Sequence, residues 1–253
     1  MCSSDLNFAT CKTGAEELGD ASHRLVGEPL TVPGYDDRPT LLQAAADPAA
    51  PLVLLFHGQH GCILNLQSRT DLDAIAPGRG VSLLWLSGQP LPARSWNTNG
   101  RCCEPASTEH VNDLAYLDAV MSAVAERGLH PRRVVSVGVS NGAGMALAAA
   151  CGRPRYFDAA VSVAGWLPVS CRPKRPISLL AFGGTKDHLF GASGPRNIAG
   201  VWRRTVTTCR GTPETERTKH RNITMWTECS GGTVVRVVSL IGEGHVWPHF
   251  SFY

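Results

Sequence analysis

The 253-residue chain predicts an α/β fold, a mostly parallel sheet with helices on both faces, and two observations carry that prediction. Six short runs are apolar at nearly every position: 51–56, 81–86, 133–138, 159–164, 177–182 and 234–240, each bounded by glycine, proline or polar residues. Strands buried on both faces read this way, whereas a strand with one wet face alternates. Helical stretches lie between the runs, and alternation of strand with helix is the sequence form of parallel pairing.

Residues 1–50 carry Pro29, Pro33, Gly34 and Pro39, which break any long element, so irregular structure with an edge strand or hairpin is expected there. Between the second and third runs, Val111, Leu114, Leu117, Val120, Met121 and Val124 recur at helical spacing. They predict a crossover helix that Gly128 ends in the left-handed conformation. A second helix is expected just after Ser140, running through the alanine-rich 145–150, whose small side chains let it lie close to the sheet. The more polar 191–232 predicts a helix followed by an irregular loop. Without an internal repeat or a low-complexity linker, residues 1–253 read as one domain.

Composition narrows the function. A 43% hydrophobic, 18% charged chain supports one sizeable core. The formal charge of +3 is small and the 24 Lys and Arg residues are scattered, so no nucleic-acid surface is expected. No apolar run approaches the ~18 residues of a membrane-spanning helix, so no membrane partner is expected either. Nine cysteines without paired C-x-x-C spacing point to an oxidising compartment rather than structural zinc. Residues Met1-Cys2-Ser3-Ser4-Asp5-Leu6 lack the basic and apolar regions of a signal peptide, so a secreted or periplasmic location requires a leader not present in this sequence. Cys209 and Cys229 flank a polar loop and are candidates for one disulfide. Cys102 and Cys103 can serve two more bridges, with Cys62 and with Cys151 or Cys171, a connectivity that sequence leaves open. His57, His60, His245 and His249 include an H-x-x-H on a loop without an acidic partner, which is not a helical zinc motif, so neither metal nor cofactor is expected. Asn222-Ile223-Thr224 fits a glycosylation acceptor.

The chemistry starts at Gly138-Val139-Ser140-Asn141-Gly142. A G-x-S-x-G pentapeptide presents a nucleophile when it forms a sharp strand-to-helix turn, and here it follows an apolar run and precedes an alanine-rich helix. The main-chain N–H of Asn141, at the start of that helix, is suited to a developing oxyanion. A second donor is expected from Gln59, because the first run ends in Phe56-His57-Gly58-Gln59 at the same edge of the sheet; His57 can also hold that loop by a hydrogen bond. The order serine, acid, histidine is completed by Asp187, beyond the run ending at Phe182, and by His245, beyond the run ending at Leu240. Both sit past the C-terminal ends of strands, where open parallel sheets place their sites. In this assignment His245 takes the proton of Ser140 and returns it to the leaving alcohol, while Asp187 holds the imidazole tautomer. The rivals are weaker: Asp158 precedes its strand, and His188 sits on the acid's own loop. Among tryptophans, Trp247, two residues past His245, is favoured for substrate contact, followed by Trp96, with Trp166 a further aromatic candidate and His57 also near the substrate.

Together these motifs resemble the poly(3-hydroxybutyrate) depolymerase and feruloyl esterase family, related to the acetylxylan esterases. The resemblance runs from about Leu52 to Pro248. It rests on His57-Gly58, Ser95-Trp96-Asn97 with Cys102-Cys103, Val111-Asn112-Asp113, Gly138 to Gly142 with Met145-Ala146, Gly184-Thr185-x-Asp187, and Gly242-x-Gly244-His245-x-Trp247-Pro248. It implies an α/β-hydrolase fold, a triad of Ser140, Asp187 and His245, a Cys209–Cys229 bridge, secretion, and ester substrates that are plant-wall feruloyl or acetyl esters or short-chain polyesters. Two departures stand out: Gly183 replaces the usual histidine, which should affect loop packing more than chemistry, and the C-terminal helix of relatives is expected to be missing after His245. Acyl transfer by the same triad, and a catalytically silent binding protein on the same fold, are the competing functions.

Overall fold

The computed structural model describes residues 25–89, 94–98, 102–167 and 170–248. Its order is β1 (Glu28–Pro29), β2 (Thr40–Gln43), β3 (Leu52–Phe56), α1 (Ile63–Thr70), α2 (Leu72–Ile75), β4 (Ser82–Leu86), α3 (Asp113–Glu126), β5 (Val134–Val139), α4 (Asn141–Gly152), β6 (Ala159–Val163), β7 (Ser178–Gly184), α5 (Gly194–Thr205), β8 (Glu214–Arg217), β9 (Arg221–Trp226) and β10 (Val235–Leu240). The strands form one sheet in the order β1-β2-β4-β3-β5-β6-β7-β10-β9-β8. From β4 to β10 all neighbours are parallel, and the strands beyond pair antiparallel. The six apolar runs are these six parallel strands. The predicted crossover helix is α3, whose Asn112 side chain accepts the Ala115 N–H at 3.0 Å, satisfying a donor that the first turn leaves open. Gly128 takes a φ of +82°, as a left-handed helix end requires.

The pleat divides the core. Leu52, Leu54 and Phe56 of β3 belong to the core cluster that the buried faces of α3, α4 and α5 complete. Leu55, with Val53 beside it, faces the other way, toward Ile63 and Leu66 of α1 and Ala76 just past α2. On that second face the covering helices are short. An apolar groove of about 480 Å³ runs over β5, β6, β7 and β10, lined by Val137, Val163, Phe182, Val238 and Trp247.

Two expectations are corrected. Residues 214–226 form the β8–β9 hairpin rather than an irregular loop. The β8 strand is exposed throughout and β9 mostly half-buried, so no apolar run marked them; pairing of β9 with β10 supplies the order. Cys102 bonds to Cys103 rather than to partners elsewhere, while Cys151, in the last turn of α4, meets Cys171 beyond β6 with Cα atoms 5.3 Å apart. The Cys209–Cys229 bridge forms as expected, and Cys62 is disulfide-bonded too. The hairpin expected before residue 50 is the β1–β2 pair, while residues 1–24 and 249–253, including His249, lie outside the described residues. Among the described residues no helix is long and apolar enough to cross a membrane, and no three His, Cys, Asp or Glu side chains gather as a metal site.

Candidate active site

Ser140 follows the last residue of β5 with φ 55° and ψ −120°, a backbone conformation strained for any residue with a Cβ. The turn is possible because its flanks are glycine. A Cβ on Gly138 would lie 2.0 Å from the Gly142 carbonyl oxygen, and one on Gly142 would lie 2.1 Å from that of Phe56. The elbow therefore packs directly on the end of β3, and the Ser140 N–H is tied to the Val163 carbonyl of β6 at 2.9 Å. Ser140 itself stays half-exposed.

Asp187 and His245 reach the same edge from β7 and β10, neighbours in the sheet. Their loops are zipped together: Lys186 N–H donates to the Glu243 carbonyl at 2.8 Å and Gly242 N–H to Thr185 Oγ1 at 2.9 Å. Gly184 permits this approach, since a Cβ there would lie 2.1 Å from the Glu243 oxygen. At Gly183 a Cβ would meet the Pro195 ring at 2.6 Å, so glycine there lets the start of α5 dock.

The buried His245 donates from Nδ1 to Asp187 Oδ2 at 2.9 Å, and Asp187 Oδ1 accepts the N–H groups of Leu189 and Phe190 at 2.8 and 3.0 Å. Burial opposes ionisation of Asp187, but the bond from His245 and those main-chain donors outweigh it and hold the carboxyl below its ordinary value. A carboxylate on Nδ1 leaves the lone pair on Nε2, and that nitrogen is buried with no hydrogen-bond partner among the described residues. The Ser140 hydroxyl does not bond to it in this structure; such contacts often tighten only when substrate is bound. The rivals sit elsewhere: Asp158 accepts the Val134 N–H and pairs with Arg175 at the opposite edge of the sheet, and His188 is exposed.

The N–H groups of Gln59 and Asn141 donate no hydrogen bond among the described residues. Three residues expected to contact substrate, Trp96, His57 and Trp247, take other places in the fold. Trp96 is fully buried beneath Phe56, its indole N–H bonded to the His57 carbonyl at 2.9 Å. His57 is also buried, its Nδ1 on the Gly58 carbonyl at 2.6 Å and its Nε2 on the Gly88 N–H at 2.9 Å. Removal from solvent pushes its pKa down to about 3, so it is neutral and structural. Both lie under the site because their polar atoms complete main-chain bonds. Trp247 packs on the opposite sheet face, in the apolar groove. The aromatic surface beside the histidine is Trp166 with Phe190: the rings stack 5.0 Å apart, Phe190 lies 5.3 Å from the His245 ring, and Trp166 would touch a Cβ on Gly144, one turn past Ser140, at 3.1 Å. Phe190 was not singled out from sequence; its only signal is a place three residues past the acid.

No protein-family model matches the chain. Feruloyl esterase B of Piromyces equi is 26% identical over 224 residues, covering 79% of this chain, which spans 40% of that relative's length. NocK of Nocardia uniformis subsp. tsuyamanensis, a protein assigned as an esterase, is 28% identical over 237 residues, covering 80% of this chain and 67% of its own. Among solved structures, an acetyl xylan esterase from Aspergillus awamori superposes with a TM-score of 0.67 at 12% identity, covering 85% of this chain and 92% of that one. A Bacillus cereus carboxylesterase gives 0.61 at 16% identity, covering 86% and 91%. The fold is that of the α/β-hydrolases.

Proposed function

We propose that the protein is a carboxylic ester hydrolase working through an acyl-enzyme on Ser140. The observation that carries this reading is the Asp187–His245 pair, 2.9 Å apart, with an unpartnered Nε2 at the sheet edge that bears the strained serine. In the reaction His245 Nε2 takes the Ser140 proton as Oγ attacks the ester carbonyl. The oxyanion gathers the N–H groups of Gln59 and Asn141, and the collapsing intermediate expels the alcohol with the proton returned by His245. Water, deprotonated by the same imidazole, then releases the acid.

The Trp166–Phe190 stack beside His245 supports a choice of substrate class. Flat aromatic walls suit a planar acyl group, so feruloyl esters of plant-wall polysaccharide fit better than acetyl esters or hydroxybutyrate oligomers. Similarity to feruloyl esterase B supports the same choice. The Cys102–Cys103, Cys151–Cys171 and Cys209–Cys229 disulfides support work in an oxidising, extracellular or periplasmic setting.

The test compares methyl ferulate, p-nitrophenyl acetate and hydroxybutyrate oligomers on wild type, Ser140→Ala and Phe190→Ala. Ser140→Ala is expected to abolish turnover and fluorophosphonate labelling of every substrate set, and Phe190→Ala to lose kcat/KM for ferulate more than for acetate. Activity that survives Ser140→Ala would reject the mechanism; equal losses across substrates for Phe190→Ala would reject the aromatic preference.

A further inference from the structure

We infer that the side chain of Asn141 is a positioning residue that orients the second oxyanion donor, Gln59, from the residue supplying the first; this rests on the reading of Ser140 as nucleophile. The Asn141 amide is fully buried and closes a two-bond ring with one main-chain residue, accepting the Trp96 N–H at 2.7 Å and donating to the Trp96 carbonyl at 3.0 Å. An amide alone, with donor and acceptor on one planar group, matches a peptide in this way. The Trp96 indole then donates to the His57 carbonyl, and the His57 imidazole bridges Gly88 to the Gly58 carbonyl.

The last bond is where position becomes function. The Gly58 carbonyl and the Gln59 N–H belong to one peptide unit, and in a trans peptide they point in opposite directions. Holding the oxygen at 2.6 Å on His57 Nδ1–H, with the Gly61 N–H at 3.1 Å on the same oxygen, fixes where the Gln59 N–H aims. The same bond polarises the peptide and strengthens its free donor. The relay needs a neutral His57: Nδ1–H must donate to a carbonyl, and Nε2 must accept from Gly88. Protonation would set two donors against each other. The expected consequence is a site whose two N–H groups keep their spacing before substrate arrives.

The test uses Asn141→Asp, Asn141→Ala and His57→Gln in the full chain. All keep both main-chain N–H groups. Asn141→Asp places a carboxylate oxygen against the Trp96 carbonyl, and His57→Gln has no donor at the Nδ1 position to hold the Gly58 carbonyl. With p-nitrophenyl acetate, kcat is expected to fall about 10- to 100-fold while KM moves less than about threefold, because the loss is confined to the transition state. Affinity for an alkyl trifluoromethyl ketone, which forms the tetrahedral adduct, should fall by the same factor. Asn141→Asp should recover toward wild type as pH falls, since a protonated carboxyl again donates to Trp96. Wild-type kcat and ketone affinity in the soluble variants would overturn the inference, as would a kcat loss without a loss of ketone affinity. Failure of the nucleophile reading is distinguishable, because it would appear as activity in Ser140→Ala.

Discussion

Lowering the pH should destabilise the fold through His57 alone by an amount that can be worked out. In the folded chain its imidazole titrates at about 3, whereas in the unfolded chain it titrates near 6.5. Between those values the unfolded state binds a proton that the folded state refuses, so stability is fully present above pH 6.5 and drains away as pH falls toward 3. The slope is about 1.4 kcal/mol per pH unit in that window, and the loss at pH 5 is about 2 kcal/mol. The physical source is burial of the imidazole, which penalises the charged ring, together with the Gly88 N–H, which would face a second donor once Nε2 is protonated; the Nδ1–H bond to Gly58 survives protonation. The assay is urea unfolding of wild type and His57→Gln at intervals from pH 4.5 to 7.5. His57→Gln removes this titration, so the difference between the two curves should rise with that slope and flatten above pH 6.5. Parallel curves would refute the assignment of His57 as a neutral, buried pin.

Asp187→Asn should keep the fold and lower kcat by about 10⁴-fold, because the amide would hold the wrong imidazole tautomer; steady-state kinetics on p-nitrophenyl acetate would check it, and a loss under tenfold would remove Asp187 from the triad. Gly184→Ala would drive a methyl to within 2.1 Å of the Glu243 carbonyl and push the His245 loop off β7. A shift of about 1 Å there is expected to lower kcat about 100-fold, measured beside a thermal melt that separates displacement from unfolding. Asp113 and Arg38 are paired at 2.7 Å with both side chains essentially unexposed, and Asp113 also accepts the Asn97 N–H. Asp113→Ala should therefore destabilise by about 3–5 kcal/mol, since it strands a buried guanidinium; a urea midpoint near the wild-type value would show that water reaches Arg38.

The linear sequence carried the six parallel strands, because burial on both faces leaves short apolar runs, each bounded here by glycine, proline or polar residues. It determined the elbow as well, since Gly138 and Gly142 are the only residue type that fits against Gly142 and Phe56, and the placement of Asp187 and His245 beyond strand ends. The β8–β9 hairpin was not legible, because exposed and half-buried strands carry no apolar run and their order comes from pairing with β10. Short α1 and α2 escaped for a related reason: two brief helices meet at Asp71, whose φ of 51° interrupts any periodic pattern. Where each tryptophan lies was decided only in three dimensions. Trp96, Trp166 and Trp247 look alike as letters, yet one closes a hydrogen bond beneath the site, one stacks on Phe190 and one covers the far face of the sheet. A side chain's contacts depend on residues distant along the chain, and distance along the chain is what folding abolishes.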